Sequence, residues 1–260
     1  VLAAALVEVG GLDSSYRQSL RRPLWLAGMC REEASMTNDT GLTLYLHPLA
    51  SYCHKVLIAL YEAGTPFTPR LIELQHEDQR AELRAHWGLC KFPVLHDGAR
   101  GLSLPESSII IEHLDLHHPG PQPLIPRGDA DAALQVRLWD RIFDHYIHAP
   151  MQDMVNDHLR QSHLDLGPQR QLISRSYALV DAQLARHAWA AGADFSLADC
   201  AAAPALFYAS TLVPLPAELP HLQAYFERLM ARPSVARVLD EARPWLHFYP
   251  FADAIPARFR

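Results

Sequence analysis

LYLHPLASYCHKVLIAL, residues 44–60, changes its hydrophobic period halfway along. Leu42 to His47 alternates as a short strand does. From Cys53 the apolar residues recur at 53, 56, 57, 60 and 61, the period of a helix. Ser51 and Cys53 stand where the strand hands over to the helix. Gly64 then supplies a stop and Pro66 prevents continuation. Phe67 to Leu74 reads as a second strand, and Pro69, which has no N–H for a ladder, places it at a sheet edge. Strand, helix and strand in this order make a β-α-β unit with a right-handed crossover.

His76 to Trp87 reads as a polar, exposed helix. Phe92 to His96 is a strand, Asp97-Gly98 begins a turn, and Leu102 to Leu104 is a short antiparallel return. Glu106 to Leu114 is a helix with Ile110, Ile111 and Leu114 facing inward. Four prolines between His117 and Asp129 make a stiff linker and the clearest domain boundary. Everything beyond has helical period: Ala130 to His148, carrying Leu134, Leu138, Trp139, Ile142, Phe143 and Tyr146, then Gln169 to Trp189, Ser196 to Ala209, Leu219 to Ala231 and Ser234 to Ala242. The layout predicts a small α/β domain packed on an all-helical one.

The expected boundaries are an N-terminal extension at 1–41, poorly ordered, an α/β domain at 42–118, a linker at 119–129, a helical domain at 130–245 and a C-terminal tail at 246–260. Met36 opens MTNDTGLTLYLHP as a natural beginning for the first strand, so residues 1–35 read as an upstream extension without legible chemistry.

The chain of 260 residues is 49% apolar, enough for a proper core, and carries a net charge of -6. A mildly acidic chain without a Lys/Arg block gains nothing from counterion release, which argues against nucleic acid as a partner. No apolar run reaches membrane length, and VLAAALVEV at the start lacks a basic leader and a cleavage site. Cys30, Cys53, Cys90 and Cys200 form no CxxC pair and no zinc-ligand spacing, so a reducing cytoplasm is the expected setting. Among fifteen histidines, His113 and His117 are four apart and His145 and His148 three apart, but no HExxH pattern accompanies them. No metal is expected.

Four stretches, in this order and at these separations, resemble a cytosolic glutathione transferase over roughly residues 42–245. They are LYLHPLASYCHKVLIAL, Phe92-Pro93 opening the third strand, Pro105-Glu106-Ser107-Ser108-Ile109 opening the next helix, and Phe195-Ser-Leu-Ala-Asp199 with Pro204 beyond it. The resemblance implies a thioredoxin-like domain of order β-α-β-α-β-β-α followed by an all-α domain. It also implies glutathione as co-substrate, a small hydrophobic electrophile and a homodimer, with the α/β domain of one subunit against the helical domain of the other. Detoxification would be the role.

In thioredoxin-like folds the bond matching Phe92-Pro93 is cis, and the residue before proline offers its N–H and C=O to an extended peptide as if to another strand. The resemblance implies that glutathione's cysteinyl part pairs there; a plain trans proline at a strand start is the alternative. Glu106 and Ser107 open a helix, whose free amides and dipole favour an anion. The γ-glutamyl carboxylate would take Ser107 and the amides, its ammonium Glu106; alternatively the two residues only start and cap the helix. Ser196 and Asp199 have capping-box spacing and are a folding signal.

The family activates glutathione with a Tyr, Ser or Cys just after the first strand. Ser-type members carry it five residues before the basic residue matched by Lys55, and that position is Ala50, which has no group to offer. Ser51 is the neighbouring candidate catalyst, at the helix N-terminus where a thiolate is favoured. Cys53 overlays the second cysteine of a glutaredoxin-like C-P-Y-C, an inward position. Tyr52, His47 or the backbone amides alone are the remaining options. Trp139, Phe143, Tyr146 and Met151 are candidates for an electrophile pocket between the domains. A non-catalytic binding or scaffold role, favoured by Ala50, and a glutathione-dependent isomerase or dehalogenase remain open.

Overall fold

Strand β1, Leu42–Leu46, lies inside a four-stranded sheet of order β2-β1-β3-β4, with β2 at Thr68–Leu71, β3 at Val94–Asp97 and β4 at Leu102–Pro105. The computed structural model describes residues 41–260, so the expectations for residues 1–40 lie outside the described residues. Strands β1 and β2 are parallel, with Leu44 beside Pro69; β3 runs antiparallel to both β1 and β4. Pro69 therefore stands on an edge strand, where its missing N–H costs no ladder bond.

Helix α1, Ser51–Ala63, stops at Gly64, whose φ of 63° is open to glycine at no steric cost. Residues 53 to 60 are all buried. The helix is enclosed because it packs between helix α3, Ser107–His117, on one side and helices of the C-terminal half on the other. Helix α2, Glu77–His86, buries only Leu83 and is the polar surface helix its sequence predicts. α3 carries Ile110, Ile111 and Leu114 inward and runs past Leu114 to His117.

The proline-rich stretch is pinned rather than free. Leu124 and Ile125 are buried, the Leu124 N–H donates to Asp115 Oδ1 at 2.8 Å, and the Leu124 carbonyl accepts from the Leu197 N–H at 3.0 Å. A Cβ on Gly120 would meet the Ala63 backbone at 2.5 Å, so only glycine lets the linker cross α1 there.

Helix α4, Ala130–Phe143, is capped by Asp129 and leads into a π-helical turn, Asp144–His148, and then α5, Ala149–Arg160. The helix expected to end at His148 thus continues to Arg160. Pro150 reads as a breaker but lies in the first turn of α5, where a missing N–H is tolerated. Of the apolar residues whose spacing marks this helix, Leu134, Leu138 and Tyr146 are 61%, 47% and 49% exposed, while Trp139 and Phe143 are buried.

Helix α6 is Gly167–Leu184, short of the expected Trp189; α7 is Leu197–Ser210, α8 Pro220–Met230 and α9 Pro233–Ala242. α7 is buried from Leu197 to Ala209 and forms the axis of the helical part. Its Ser196–Asp199 capping box is formed as the spacing predicts. The tail is packed through short 3₁₀ turns, with Tyr249 and Ile255 buried and the Tyr249 hydroxyl 2.8 Å from Thr211 Oγ1. Among the described residues no helix is long and apolar enough to cross a membrane.

Candidate functional site

The start of β3 and the start of α3 face the helical part across a cleft of about 230 Å³. Phe92, Pro93, Glu106 and Ser107 all line it, joined by Tyr52, Trp87, Lys91 and Pro105 from the α/β part and by Arg141, Asp144 and His145 from α4 and the π turn. The Phe92-Pro93 bond is cis. Glu106 holds φ 69° and ψ 109°, on the side of φ/ψ space that side chains other than glycine avoid. Such a conformation persists where the surroundings over-determine it, and it turns the chain from β4 into α3 at the rim of the cleft. Ser107 follows as the first residue of α3 and is buried.

Ser51 is not among the lining residues. It is 2% exposed, its Oγ lies 2.5 Å from His148 Nε2 and it accepts from Gln152 Nε2 at 2.9 Å. Burial, and then the Lys55 charge, hold the His148 imidazole well below its usual range, so the ring is neutral. The N-cap of α1 is Ala50, and no side chain caps the helix. Its first-turn amides therefore lack the side-chain partner that a Ser or Asp at that position supplies.

Tyr52 is the side chain of the 49–56 stretch that reaches the cleft. Its ring stacks on His148 at 3.8 Å and 11°. Burial, followed by the negative charges of Asp144 and Glu106, pushes its phenol up, so it stays protonated and able to donate. Cys53 is fully buried and burial pushes its thiol up to about 12, which leaves it no thiolate for exchange chemistry. His47 is buried, held down at about 3 by burial, and stacks beside Phe92 with ring centroids 6.1 Å apart.

Trp139, Phe143, Tyr146 and Met151 do not line the cleft: three are buried core and Tyr146 faces outward. The helical wall is polar. Behind it the Lys55 ammonium lies 2.5 Å from Asp140 Oδ1 and 2.7 Å from Asp144 Oδ2, and it donates to Ser108 Oγ at 2.8 Å. Burial raises the Asp140 carboxyl, with Lys55 pulling against it. Sequence reasoning missed this cluster; the legible signal was a lysine running straight into the apolar stretch Val56–Leu60. The cleft thus offers two cations, Lys91 and Arg141, and two carboxylates, Glu106 and Asp144, around an aromatic floor. That pattern suits a small zwitterion with more than one carboxylate.

A mixed sheet with a cis-proline and a helix N-terminus turned toward a helical domain defines a two-domain protein of thioredoxin-like type. Residues 44–122 match the model of the glutathione S-transferase N-terminal domain, and residues 144–233 that of the C-terminal domain. A glutathione S-transferase of Methylobacterium radiotolerans, solved in complex with glutathione sulfonate, is 31% identical, covers 76% of this chain and 93% of its own, and superposes with a TM-score of 0.66. One of Methylobacillus flagellatus with GSH bound shares the fold at 24% identity and a TM-score of 0.66, over 76% of this chain and 98% of that one. The stringent starvation protein A homolog of Coxiella burnetii is 29% identical over 72% of this chain and 80% of its own length. The chain belongs to the glutathione S-transferase family.

Proposed function

We propose that this protein is a glutathione transferase: it binds glutathione in the cleft and activates its thiol for attack on a small hydrophobic electrophile. The observation that carries the reading is the convergence of Phe92-Pro93 and Glu106-Ser107, from two separate stretches, on one cleft. The cysteinyl backbone pairs with Phe92, the γ-glutamyl carboxylate takes Ser107 and the first amides of α3, and Glu106 takes the ammonium. Lys91 and Arg141, both in the cleft lining, would receive the remaining carboxylate.

In this proposal the thiolate is held by the uncapped first turn of α1 and by the Tyr52 hydroxyl. Ser51, the catalyst proposed from sequence, acts as a positioning residue, because its hydroxyl is engaged by His148 and Gln152. The same activated thiol would serve an isomerase or dehalogenase. The exposed apolar side chains of Ile109 and Leu116 on α3 and of Leu134 and Leu138 on α4 suit the face of a homodimer. The free thiols of Cys53, Cys90 and Cys200 suit a reducing cytoplasm.

Ala50 favours a second reading, a binding or scaffold protein without turnover. Calorimetric titration with reduced glutathione in two buffers of different ionisation enthalpy separates the two. Binding with proton release supports thiol activation. Binding without it supports the second reading in its binding form, and no binding to a folded sample overturns the transferase and leaves the scaffold reading.

A further inference from the structure

The cleft uses one end of β3 and of α3; the opposite ends of the same two elements carry another cluster. Asp97 closes β3, His113 lies in the second half of α3, and His118 is its C-cap. Asp97 Oδ2 is 3.0 Å from His113 Nε2 and 3.4 Å from His118 Nε2, and the three donor atoms all lie within 4.8 Å of one another. We propose that Asp97, His113 and His118 form a binding site for a divalent cation of zinc's size and ligand preference, separate from the glutathione cleft.

The spacing fits. A tetrahedral zinc bound at about 2.0–2.1 Å holds neighbouring ligand atoms about 3.3 Å apart. The two oxygen–nitrogen separations bracket that value. The donor chemistry fits too, since two imidazoles and one carboxylate suit zinc over calcium or magnesium, which take oxygen. The convergence itself is unusual for simple hydrogen bonding. Two imidazole nitrogens and the Arg100 guanidinium, at 3.1 Å, all address the same carboxylate oxygen, which has two lone pairs.

The surroundings supply support and an opening. Asp97 is fully buried, and its other oxygen accepts the Arg100 N–H at 3.2 Å, which fixes the carboxylate plane. The Arg100 side chain is 40% exposed on the β3–β4 turn, so it can swing into solvent as a cation takes its place. The His118 side chain is 14% exposed, and the exposed His117 has its ring 4.6 Å from that of His113. Either a water or His117 can complete the coordination. The bound cation would clamp the β3–β4 turn to the end of α3, just where the chain enters the linker.

This runs against the absence of a metal expected from the sequence. The four-residue spacing pairs His113 with His117, but α3 ends at His117 and His118 leaves helical geometry with φ -133° and ψ 55°. That bend, and an aspartate from a different element, are not legible in a spacing rule.

The test uses the full chain, stripped with a chelator and dialysed against graded Zn²⁺ alone, with bound metal measured by elemental analysis. The expected result is one zinc per chain, and with Co²⁺ in its place the intense visible bands of low-coordinate cobalt. His113→Gln with His118→Gln should weaken that binding by at least about tenfold and leave the glutathione titration unchanged. If the double variant fails to fold, His118→Gln alone, at the more exposed ligand, should give the same loss. No zinc retained by the unaltered chain, or equal binding by the variants, overturns the proposal.

Discussion

The Lys55 ammonium is fully buried 2.7 Å from Asp144 Oδ2, and this contact joins the helix after the first strand to the helical wall of the cleft. Asp140 stands on the other side of the same ammonium at 2.5 Å. Two carboxylates share this buried ammonium, and Asp140 also lies 3.3 Å from the half-exposed Arg141, so removing the ammonium takes a buried partner from both.

Lys55→Met should therefore cost about 3–5 kcal/mol of stability, the range for breaking a buried pair from one side. Adding Asp140→Asn and Asp144→Asn should recover much of it. Urea unfolding of the single and combined variants checks this; a single-variant loss under about 1 kcal/mol, the value of a surface pair, would refute the account.

Tyr52→Phe should lower turnover by about tenfold or more with glutathione affinity little changed, because the hydroxyl's work is on the thiolate. Ser51→Ala should act differently. It strips His148 and Gln152 of their shared partner, at about 1–3 kcal/mol of stability. Steady-state kinetics beside thermal unfolding separates the two. A larger loss of turnover in Ser51→Ala than in Tyr52→Phe returns the catalytic role to Ser51.

Acid should destabilise the fold in a window set by buried histidines. Burial holds His54 at about 4 and His47 at about 3, and His148 well below its usual range. Each takes up a proton near pH 6.5 when unfolded but not when folded, so stability is full above pH 6.5 and falls as pH drops toward 4. Each group contributes up to about 1.4 kcal/mol per pH unit within that window. Urea midpoints flat between pH 7 and 5 would contradict the burial of these rings.

How far the sequence reads depends on how local each signal is. Gly64, Pro69 and the Ser196–Asp199 box act on their own neighbours, and the structure places all of them as their chemistry demands. Phe92, Pro93, Glu106 and Ser107 were legible through the family resemblance, and they share one cleft. The partners of Ser51 were not, because His148 and Gln152 arrive from 97 and 101 residues away. Leu134 and Leu138 mark the helix by their spacing and yet are exposed, since helical spacing shows that residues share a face, not whether it meets the core.

Asp199 should prove the most sensitive cap in the molecule. It accepts from the Ser196 N–H and Oγ, the Ala190 N–H and the Tyr225 hydroxyl, all buried. Asp199→Ala should cost well over the roughly 1 kcal/mol of an ordinary cap, and Ser196→Ala about that amount. Thermal or chemical unfolding of both variants gives the order; equal losses would mean that Asp199 only caps.

If the chain pairs through this face as proposed, Leu134→Glu with Leu138→Glu should give a monomer without unfolding it, since both side chains are exposed in the single chain. Sedimentation at graded concentrations reads the change. A dimer surviving both charges would place the interface elsewhere.

The π turn at Asp144–His148 gives this protein an unusual response to insertions and deletions. An α-helical residue advances about 100° around the axis, so deleting one residue there would let the turn relax to α and swing all of α5 relative to α4. His148 and Gln152 would leave Ser51, while Lys55 would keep Asp140. A change that shortens the chain by one residue would act as a rotation of one half of this long helical run, so substitutions at the exposed His145 and Tyr146 should be far better tolerated than changes in length.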